Sequence, residues 1–154
     1  MATRTKPARG GDADLYETDV VAWAEAQAAA LRAGRFEALD LENLAEEIID
    51  VGNRERDAVE SHLETLVMHL LKWRHDPDHR SRSREGTIRV ARSKIAKRLR
   101  RSPSLRRELP AFLGEAYPDA KIRAGVETGL AEATFPAACP FTLDQVTGDW
   151  LPEG

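Results

Sequence analysis

The stretch that decides the fold is LENLAEEIIDVGNRERDAVESHLETLVMHLLKW, residues 41–73. Its apolar residues recur at the three- and four-residue intervals of one helix face, which predicts a long amphipathic helix. Asp40 before it is a good N-cap residue, and Gly52 is a weak point at which the helix could break. The predicted apolar stripe comprises Leu41, Leu44, Ile48, Val51, Val59, Leu63, Leu66, Leu70 and Trp73. Residues 66–71 are apolar on other faces too, which is typical of a helix at the centre of a bundle.

A shorter helix is predicted before this stretch, over residues 18–33. Thr18 or Asp14 can cap its start, and Gly34 can end it. Because its apolar residues also follow helical spacing, it should pack one side against the rest of the fold. That predicted stripe comprises Val20, Trp23, Ala24, Gln27 and Leu31.

The segment after residue 73 predicts a turn followed by a basic helix. HDPDH, residues 75–79, contains proline and short polar residues, which interrupt helices. Helical spacing then resumes over residues 83–101, with the buried side marked by Ile88, Ala91, Ile95 and Leu99. Since the turn is short, the two helices that it joins should pack as an antiparallel hairpin.

The last third of the chain predicts further helix and then an extended arm. Pro110 and Pro118 are expected to kink or split the helical region that follows residue 105, and another helical piece covers about residues 119–130. The proline-rich tail predicts an arm with a helical turn near residues 142–146. Phe135, Phe141 and Trp150 are expected to pin this arm across the bundle. The predicted fold is therefore an all-α, single-domain bundle of four to five helices over residues 13–154, after a disordered lead-in over residues 1–12.

Composition bounds the function classes. The chain has 154 residues, 42% of them hydrophobic, and a formal net charge of −3, so unspecific binding of nucleic acid by the whole surface is not expected. The single Cys139 permits no internal disulfide. No secretory signal and no apolar run long enough for a membrane span are visible. A cytoplasmic protein without membrane contact is the resulting expectation.

A charge reversal between neighbouring stretches is the main functional signal. Residues 37–64 are mostly acidic and residues 72–107 mostly basic. In an antiparallel hairpin centred near residue 78, Glu60 would face Lys97 and Asp57 would face Arg100, so part of the charge would cancel internally. The basic residues at the turn have few acidic neighbours in sequence, and backbone N–H groups at a helix start also attract anions. The predicted anion-binding residues are Lys72, Arg74, Arg80, Arg82, Ser83 and Arg84. The alternative is a solvated surface.

Histidine and cysteine give weaker signals. His62 and His69 lie seven residues apart on the long helix, about 10.5 Å along its axis, so one metal ion cannot bind both. His75 and His79 flank two aspartates in the turn, but such turns are typically solvated, and no metal site or cofactor is predicted. Cys139 is expected to be a buried thiol rather than a nucleophile. A phosphate-binding glycine loop, an HExxH motif and a nucleophile elbow are all absent from the sequence.

Ordered sequence matches along the chain resemble a known bacterial family. They are LYETDVVAWAEAQAAALRAGRFEALDLENLAEEI (15–48), MHLLKW (68–73), RSRS (80–83), GTI (86–88), SPSL (102–105), AY (116–117), ETGL (127–130) and FPAACPFTLDQV (135–146). Together they resemble the family called domain of unknown function 29, over about residues 15–152. The resemblance implies a small, all-helical, single-domain bacterial protein and supplies no activity.

The family pattern also picks out particular positions. Those that it shares with this chain are Glu46, Glu47, His69, Lys72, Trp73, Arg80, Ser81 and Ser83. Several of them fall at the hairpin end that the charge argument selects. The chain departs from the pattern at Arg84, where the family often has tryptophan, which argues against an aromatic stacking platform there. His75 and His79 do not belong to the pattern.

Three functions follow as hypotheses. The leading one is a non-enzymatic interaction module that binds nucleic acid or an acidic protein surface through the basic hairpin end. The first alternative is a hydrolase or nuclease-like enzyme in which His69 acts as base. Lys72 or Arg80 would then stabilise an anionic transition state, with Glu46 or Glu47 orienting the histidine. The second alternative is a structural homo-oligomer whose apolar faces meet another copy.

Overall fold

The structure, a computed structural model, describes residues 15–153. The predicted disordered lead-in and Asp14 lie outside these residues. The described residues form α-helices and short 3₁₀ segments and contain no β-strand, so the all-α prediction is confirmed. Residues 15–18 form a helical turn, and the helices that follow are α1 (Val20–Arg32), α2 (Leu41–His75), α3 (Arg82–Arg101), α4 (Leu109–Thr128) and α5 (Leu143–Thr147). The 3₁₀ segments are Phe36–Ala38, Pro77–His79, Pro103–Arg107 and Glu132–Thr134. None of the described helices combines the length and apolar character needed to cross a membrane.

The chain divides into two compact units, the first ending at Gly52 and the second beginning at Asn53. Helix α2 contributes to both, since it is continuous through Gly52. Of the two predicted roles for this glycine, a weak point or a break, the break is therefore wrong. A glycine inside a helix costs only about 1 kcal/mol relative to alanine, which the rest of a long helix can offset.

Unit 1 contains α1 and the first part of α2. Trp23, Gln27, Ala30 and Leu39 are its buried side chains together with Asp40. Helix α1 begins after Asp19, whose carboxylate accepts a hydrogen bond from the Ala22 N–H at 3.0 Å. Asp19, and not the predicted Thr18, is therefore the N-cap. Gly34 follows the end of α1 with a φ of +68°, a left-handed conformation that favours glycine.

The buried polar groups of unit 1 converge on Asp40. Its carboxylate accepts the Trp23 Nε1–H at 3.2 Å and the Asn43 backbone and side-chain N–H groups at 3.4 and 2.7 Å. Its own N–H donates to the Gln27 Oε1 at 2.7 Å. Asp40 therefore caps α2, as predicted, and also ties the end of the α1–α2 connection to α1.

The predicted apolar stripes of unit 1 are only partly buried. Trp23 and Gln27 are buried, and Leu44 is half-buried, but the remaining stripe residues of this unit are exposed. The exposed members are Val20, Ala24, Leu31, Leu41, Ile48 and Val51. The stripe prediction is wrong for these residues, because helical spacing identifies a face and not what covers it.

Unit 2 contains the main hydrophobic core. From Val59 to Leu70 the stripe of α2 is buried, and its last residue, Trp73, is half-buried. Leu66, Val67, Leu70 and Leu71 are completely enclosed. The buried side of α3 is the predicted one, comprising Ile88, Ala91, Ile95 and Leu99. Two ion pairs, Asp76–Arg84 near the turn and Glu55–Arg98 farther from it, show that α2 and α3 form the predicted antiparallel hairpin.

Helix α4 is a single element, so of the two predicted effects of the prolines, a kink or a split, the split is wrong. Pro110 lies in the first turn, where its missing N–H has no helical partner to lose. Pro118 lies inside the helix on its exposed side, and the carbonyl of Gly114, which loses its helical donor, is on the exposed side too. Water can therefore satisfy that carbonyl.

The C-terminal arm is held to the core by apolar and polar contacts. Phe135, Phe141 and Val146 are buried, and Trp150 packs edge-on against Phe141, as predicted for the aromatic residues. Helix α5 begins with a capping box in which Thr142 and Gln145 satisfy each other's backbone N–H groups. The Tyr117 hydroxyl donates to the Pro136 carbonyl at 2.6 Å.

Arg92 makes the largest set of polar contacts to the arm. Its Nε–H donates to the Val146 carbonyl at 2.9 Å, and its Nη2 donates to the Gln145 and Trp150 carbonyls at 2.9 and 2.6 Å. Two of these acceptors lie in the last turn of α5, where carbonyls have no helical donor. A guanidinium there also complements the negative end of the helix dipole.

Candidate functional site

The basic hairpin end divides into residues with internal contacts and residues that face solvent. Lys72 belongs to the first group: it is only 7% exposed, and its Nζ donates to Glu127 Oε2 at 2.5 Å. The hydrogen bond from Lys72 holds the pKa of Glu127 below its ordinary value. Lys72 is therefore engaged with α4 rather than presented to a ligand.

Arg80 and Arg84 also serve the hairpin itself. The Arg80 Nε–H donates to the Trp73 carbonyl at 2.8 Å, and its guanidinium carbon lies 5.4 Å from the centre of the Trp73 ring. Arg84 Nη2 donates to Asp76 Oδ2 at 2.9 Å. Hydrogen bonds from His79 and Arg84 lower the pKa of the Asp76 carboxyl. These arginines explain how the turn between α2 and α3 is fixed.

The other predicted anion-binding residues, Arg74, Arg82 and Ser83, are exposed. Ser81, which the sequence analysis did not assign to the site, caps α3 by accepting the Arg84 N–H at 3.2 Å. The start of α3 is therefore partly satisfied by the protein. Within the predicted cluster, the exposed guanidinium groups are those of Arg74 and Arg82.

A longer basic surface lies along α3. The exposed side chains of Arg82, Arg89, Lys97 and Arg100, here called the outer row, fall on the face opposite the buried one. At 100° per residue they lie within an arc of about 80°, and they extend about 27 Å along the axis. None of the four forms an ion pair with another residue in the range 15–153. Lys94 and Arg101 flank the row and are exposed too.

The predicted internal cancellation of charge is correct only in part. Arg98 Nη1 pairs with Glu55 Oε1 at 2.7 Å, close to the expected register. Glu60, however, faces α4 rather than Lys97: burial and then the charges of Glu115 and Asp57 raise its pKa. Lys97 and Arg100 therefore do not form the ion pairs with Glu60 and Asp57 that the predicted register gave them.

A cleft of about 290 Å³ adjoins the outer row. It is lined by Glu85, Arg89, Arg92, Asp149 and Leu151, so it combines both signs of charge. Sequence reasoning did not single out Arg92. Its only sequence signal is its position on α3, beside the predicted buried positions 88, 91 and 95.

His69 is half-buried on α2, and its Nδ1 atom is enclosed without a hydrogen-bond partner in the described part of the chain. Burial lowers its pKa, the charge of Lys72 lowers it further, and Glu127 opposes the shift. The imidazole is thus favoured in its neutral form. Burial likewise lowers the pKa of His62 and of His75, which packs edge-on against Phe135.

Glu46 and Glu47, which were predicted to orient His69, lie in unit 1, whereas His69 lies in unit 2. Glu46 is exposed in unit 1, and Glu47 accepts the Tyr16 hydroxyl at 3.0 Å in the same unit. The carboxylate that contacts Lys72 is Glu127, on α4. Sequence spacing could not have identified Glu127, because it lies 55 residues from Lys72.

The remaining candidates do not assemble a metal site among the described residues, where no group of three or more His, Cys, Asp or Glu side chains is placed to hold an ion. His79 Nδ1 lies 2.6 Å from Asp76 Oδ1 at the exposed turn. Cys139 is half-buried, its thiol donates to the Phe141 carbonyl at 3.6 Å, and burial raises its pKa. That arrangement disfavours the thiolate, which is the nucleophilic form.

The lowered pKa values of His62, His69 and His75 predict that the protein loses stability on acidification. A histidine whose pKa is lowered by folding takes up its proton more readily when unfolded, so stability falls as pH drops below the ordinary value of 6.5. We expect the urea midpoint to be lower at about pH 5.5 than at about pH 7.5, and His69→Gln to reduce the difference. An equal or higher midpoint at the lower pH would contradict the prediction.

Comparison with known families identifies the chain by its sequence. The model of the family described as Domain of unknown function DUF29 matches residues 15–151, so the chain belongs to that family. No curated protein and no solved structure matches the chain significantly. The resemblance seen in the sequence is thus confirmed, and it brings no assigned activity.

Proposed function

We propose that this member of the family is a non-enzymatic interaction module that binds an anionic partner through the outer row of α3. The observation that carries the proposal is the row itself: four exposed cations on one helix face, with no ion pair inside the described part of the chain. Arg74 and Arg82, the exposed arginines of the hairpin end, belong to the same proposal. Lys72, Arg80 and Arg84 support the hairpin instead of contacting the ligand.

Nucleic acid is the partner that the chemistry of the row favours. The row consists of charge with little apolar surface, Val90 being the only exposed large apolar residue of α3. Binding would therefore depend on charge neutralisation and counterion release, which is how cationic side chains bind a phosphate backbone. An acidic protein surface offers carboxylates to the same row and is the second candidate partner.

The test is a titration of a labelled DNA duplex and a labelled single-stranded RNA, read by fluorescence anisotropy from low to physiological salt. We expect Arg89→Gln/Lys97→Gln to raise Kd for the duplex by about tenfold or more at about 50 mM salt. Loss of two phosphate contacts should also reduce the slope of log K against log salt by roughly two. Polyglutamate as competitor distinguishes a carboxylate partner from a phosphate partner.

The matched control is Arg106→Gln/Arg107→Gln, which removes the same charge from exposed arginines outside α3. The proposal requires this control to bind nearly as the unchanged protein does. Equal losses in both variants would mean that only net charge matters. Absence of binding to either nucleic acid at low salt, with binding to polyglutamate, would replace nucleic acid by an acidic protein.

The hydrolase or nuclease-like alternative is favoured by one observation, the enclosed and unpartnered Nδ1 of His69 near Lys72 and Glu127. A neutral imidazole could accept a proton as a general base. The same RNA samples, separated on a gel after the titration, test this alternative directly. Cleavage that depends on His69 would support a nuclease-like enzyme. Intact RNA would argue against that alternative and in favour of the interaction module.

A further inference from the structure

Exposed apolar side chains are concentrated in unit 1. Of the large hydrophobic residues exposed in the described chain, most lie before Gly52, and three lie after it. The three later ones are Val90, Ile122 and Val126. Single exposed apolar residues are ordinary, but a concentration of them on one part of a protein marks an interaction surface.

Part of this surface is a groove of about 290 Å³ between α1 and the first turns of α2. Its walls are apolar residues of both helices, with Leu31 and Ile48 among the exposed ones. The lining residues on which the proposal depends are Val20, Trp23, Gln27, Leu31, Glu47 and Ile48. From Val20 to Leu31 the groove extends about 16 Å along α1, or three helical turns.

The floor of the groove is fixed before any ligand arrives. Trp23 and Gln27 are buried, and each is hydrogen-bonded to Asp40, through the indole N–H and through the amide oxygen respectively. Binding therefore costs little ordering of the site, which favours affinity.

The surroundings of the groove are strongly acidic. Residues 15–52 carry nine Asp and Glu against two Arg, a formal charge of −7. Glu47 lines the groove itself, and the other acidic residues belong to the same unit. A ligand that combines an apolar stripe with positive charge would satisfy both features.

We propose that this groove binds a basic amphipathic helix of a partner protein. The apolar stripe of that helix fills the space between α1 and α2. Its Lys or Arg side chains face Glu47 and the negative charge of residues 15–52. Helix-in-groove recognition of this kind uses anchors at i, i+3, i+4 and i+7. The proposal is independent of the nucleic-acid proposal, because it concerns a different unit and the opposite charge.

A second copy of the chain matches the groove less well. Two copies would bring together two segments 15–52, each with a formal charge of −7, and like charges oppose association. The basic helix of a second copy, α3, has its apolar residues Ile88, Ala91, Ile95 and Leu99 buried in its own core. It would therefore offer charge without the apolar stripe.

The experiment measures binding of the full chain to a labelled peptide of about 18 residues, composed of Leu at helical spacing and Lys elsewhere. One comparison peptide has Glu in place of Lys, and another has the same Leu and Lys in scrambled order. The groove variant is Leu31→Gln/Ile48→Gln. The matched control is Val21→Gln/Ile49→Gln, which alters equally apolar residues of the same helices that do not line the groove.

We expect the Leu/Lys helix to bind, the groove variant to raise its Kd by at least about tenfold, and the control variant to change it little. The Glu and scrambled peptides should bind much more weakly than the Leu/Lys helix. Equal binding of the scrambled peptide, or equal losses in both variants, would overturn the proposal. So would concentration-dependent dimerisation in sedimentation velocity that Leu31→Gln/Ile48→Gln abolishes, since a second copy would then occupy the groove.

Discussion

Arg92→Ala is expected to lower the free energy of unfolding by about 2–4 kcal/mol, because three carbonyl groups of the C-terminal arm lose a charged donor at once. A hydrogen bond to a charged group contributes about 1.5–3 kcal/mol, and such contributions from one side chain do not add fully. The truncation also removes the cation from the end of α5. Urea denaturation measures the loss, and hydrogen exchange in residues 143–150 shows whether the arm is released first.

Arg89→Ala provides the comparison, since Arg89 lies on the same helix but is exposed. Surface substitutions of this kind usually change stability by no more than about 0.5 kcal/mol. Arg92→Lys should fall between the two, because an ammonium cannot reproduce the fixed fork of a guanidinium. If Arg92→Ala were as stable as Arg89→Ala, the three contacts would not hold the arm.

Asp40→Ala is expected to destabilise unit 1 by about 2–4 kcal/mol. The change removes the N-cap of α2, which is worth about 0.5–2 kcal/mol, and it leaves the buried indole N–H of Trp23 without an acceptor, which costs about 1–3 kcal/mol more. Hydrogen exchange in residues 20–33 and 41–52 is the direct measurement, because it reports opening of this unit separately from global unfolding.

Asp19→Ala is the matched control, because Asp19 is also an N-cap aspartate but makes a single exposed contact, to the Ala22 N–H. We expect about 1 kcal/mol for this change. A loss at Asp40 no greater than the loss at Asp19 would show that the buried contact from the Trp23 indole N–H adds nothing to the cap. It would also remove the argument that the groove floor is fixed in advance.

Much of the fold could be predicted because local signals agreed with burial. The buried side of α3 followed from Ile88, Ala91, Ile95 and Leu99, and the cap at Asp40 followed from residue type. The wrong predictions concern helix continuity and burial at positions where these depend on residues that are distant in the sequence. Gly52 and Pro118 disfavour helix locally, yet each lies inside a long helix that tolerates it. Ile48 is exposed although its helical spacing matches that of Leu66, which is buried.

The candidate site was less predictable, because a sequence shows which residues are charged but not whether each side chain faces solvent or an internal partner. Lys72 was assigned to a ligand site, yet it contacts Glu127, which lies 55 residues away in the sequence. Lys97 was expected to face Glu60, but Glu60 faces α4, and Glu64 on the same helix pairs with Arg123. Long-range pairing of this kind is decided by packing, which one sequence does not show.

The arginines of α3 show how one helix separates two kinds of constraint. Arg84, Arg92 and Arg98 bond to other parts of unit 2, so changes there alter the fold. The outer row makes no such bonds within the described chain, so its residues can be exchanged at a cost of about 0.5 kcal/mol or less. The residues of this row can therefore diverge over evolution while the scaffold that carries them stays unchanged.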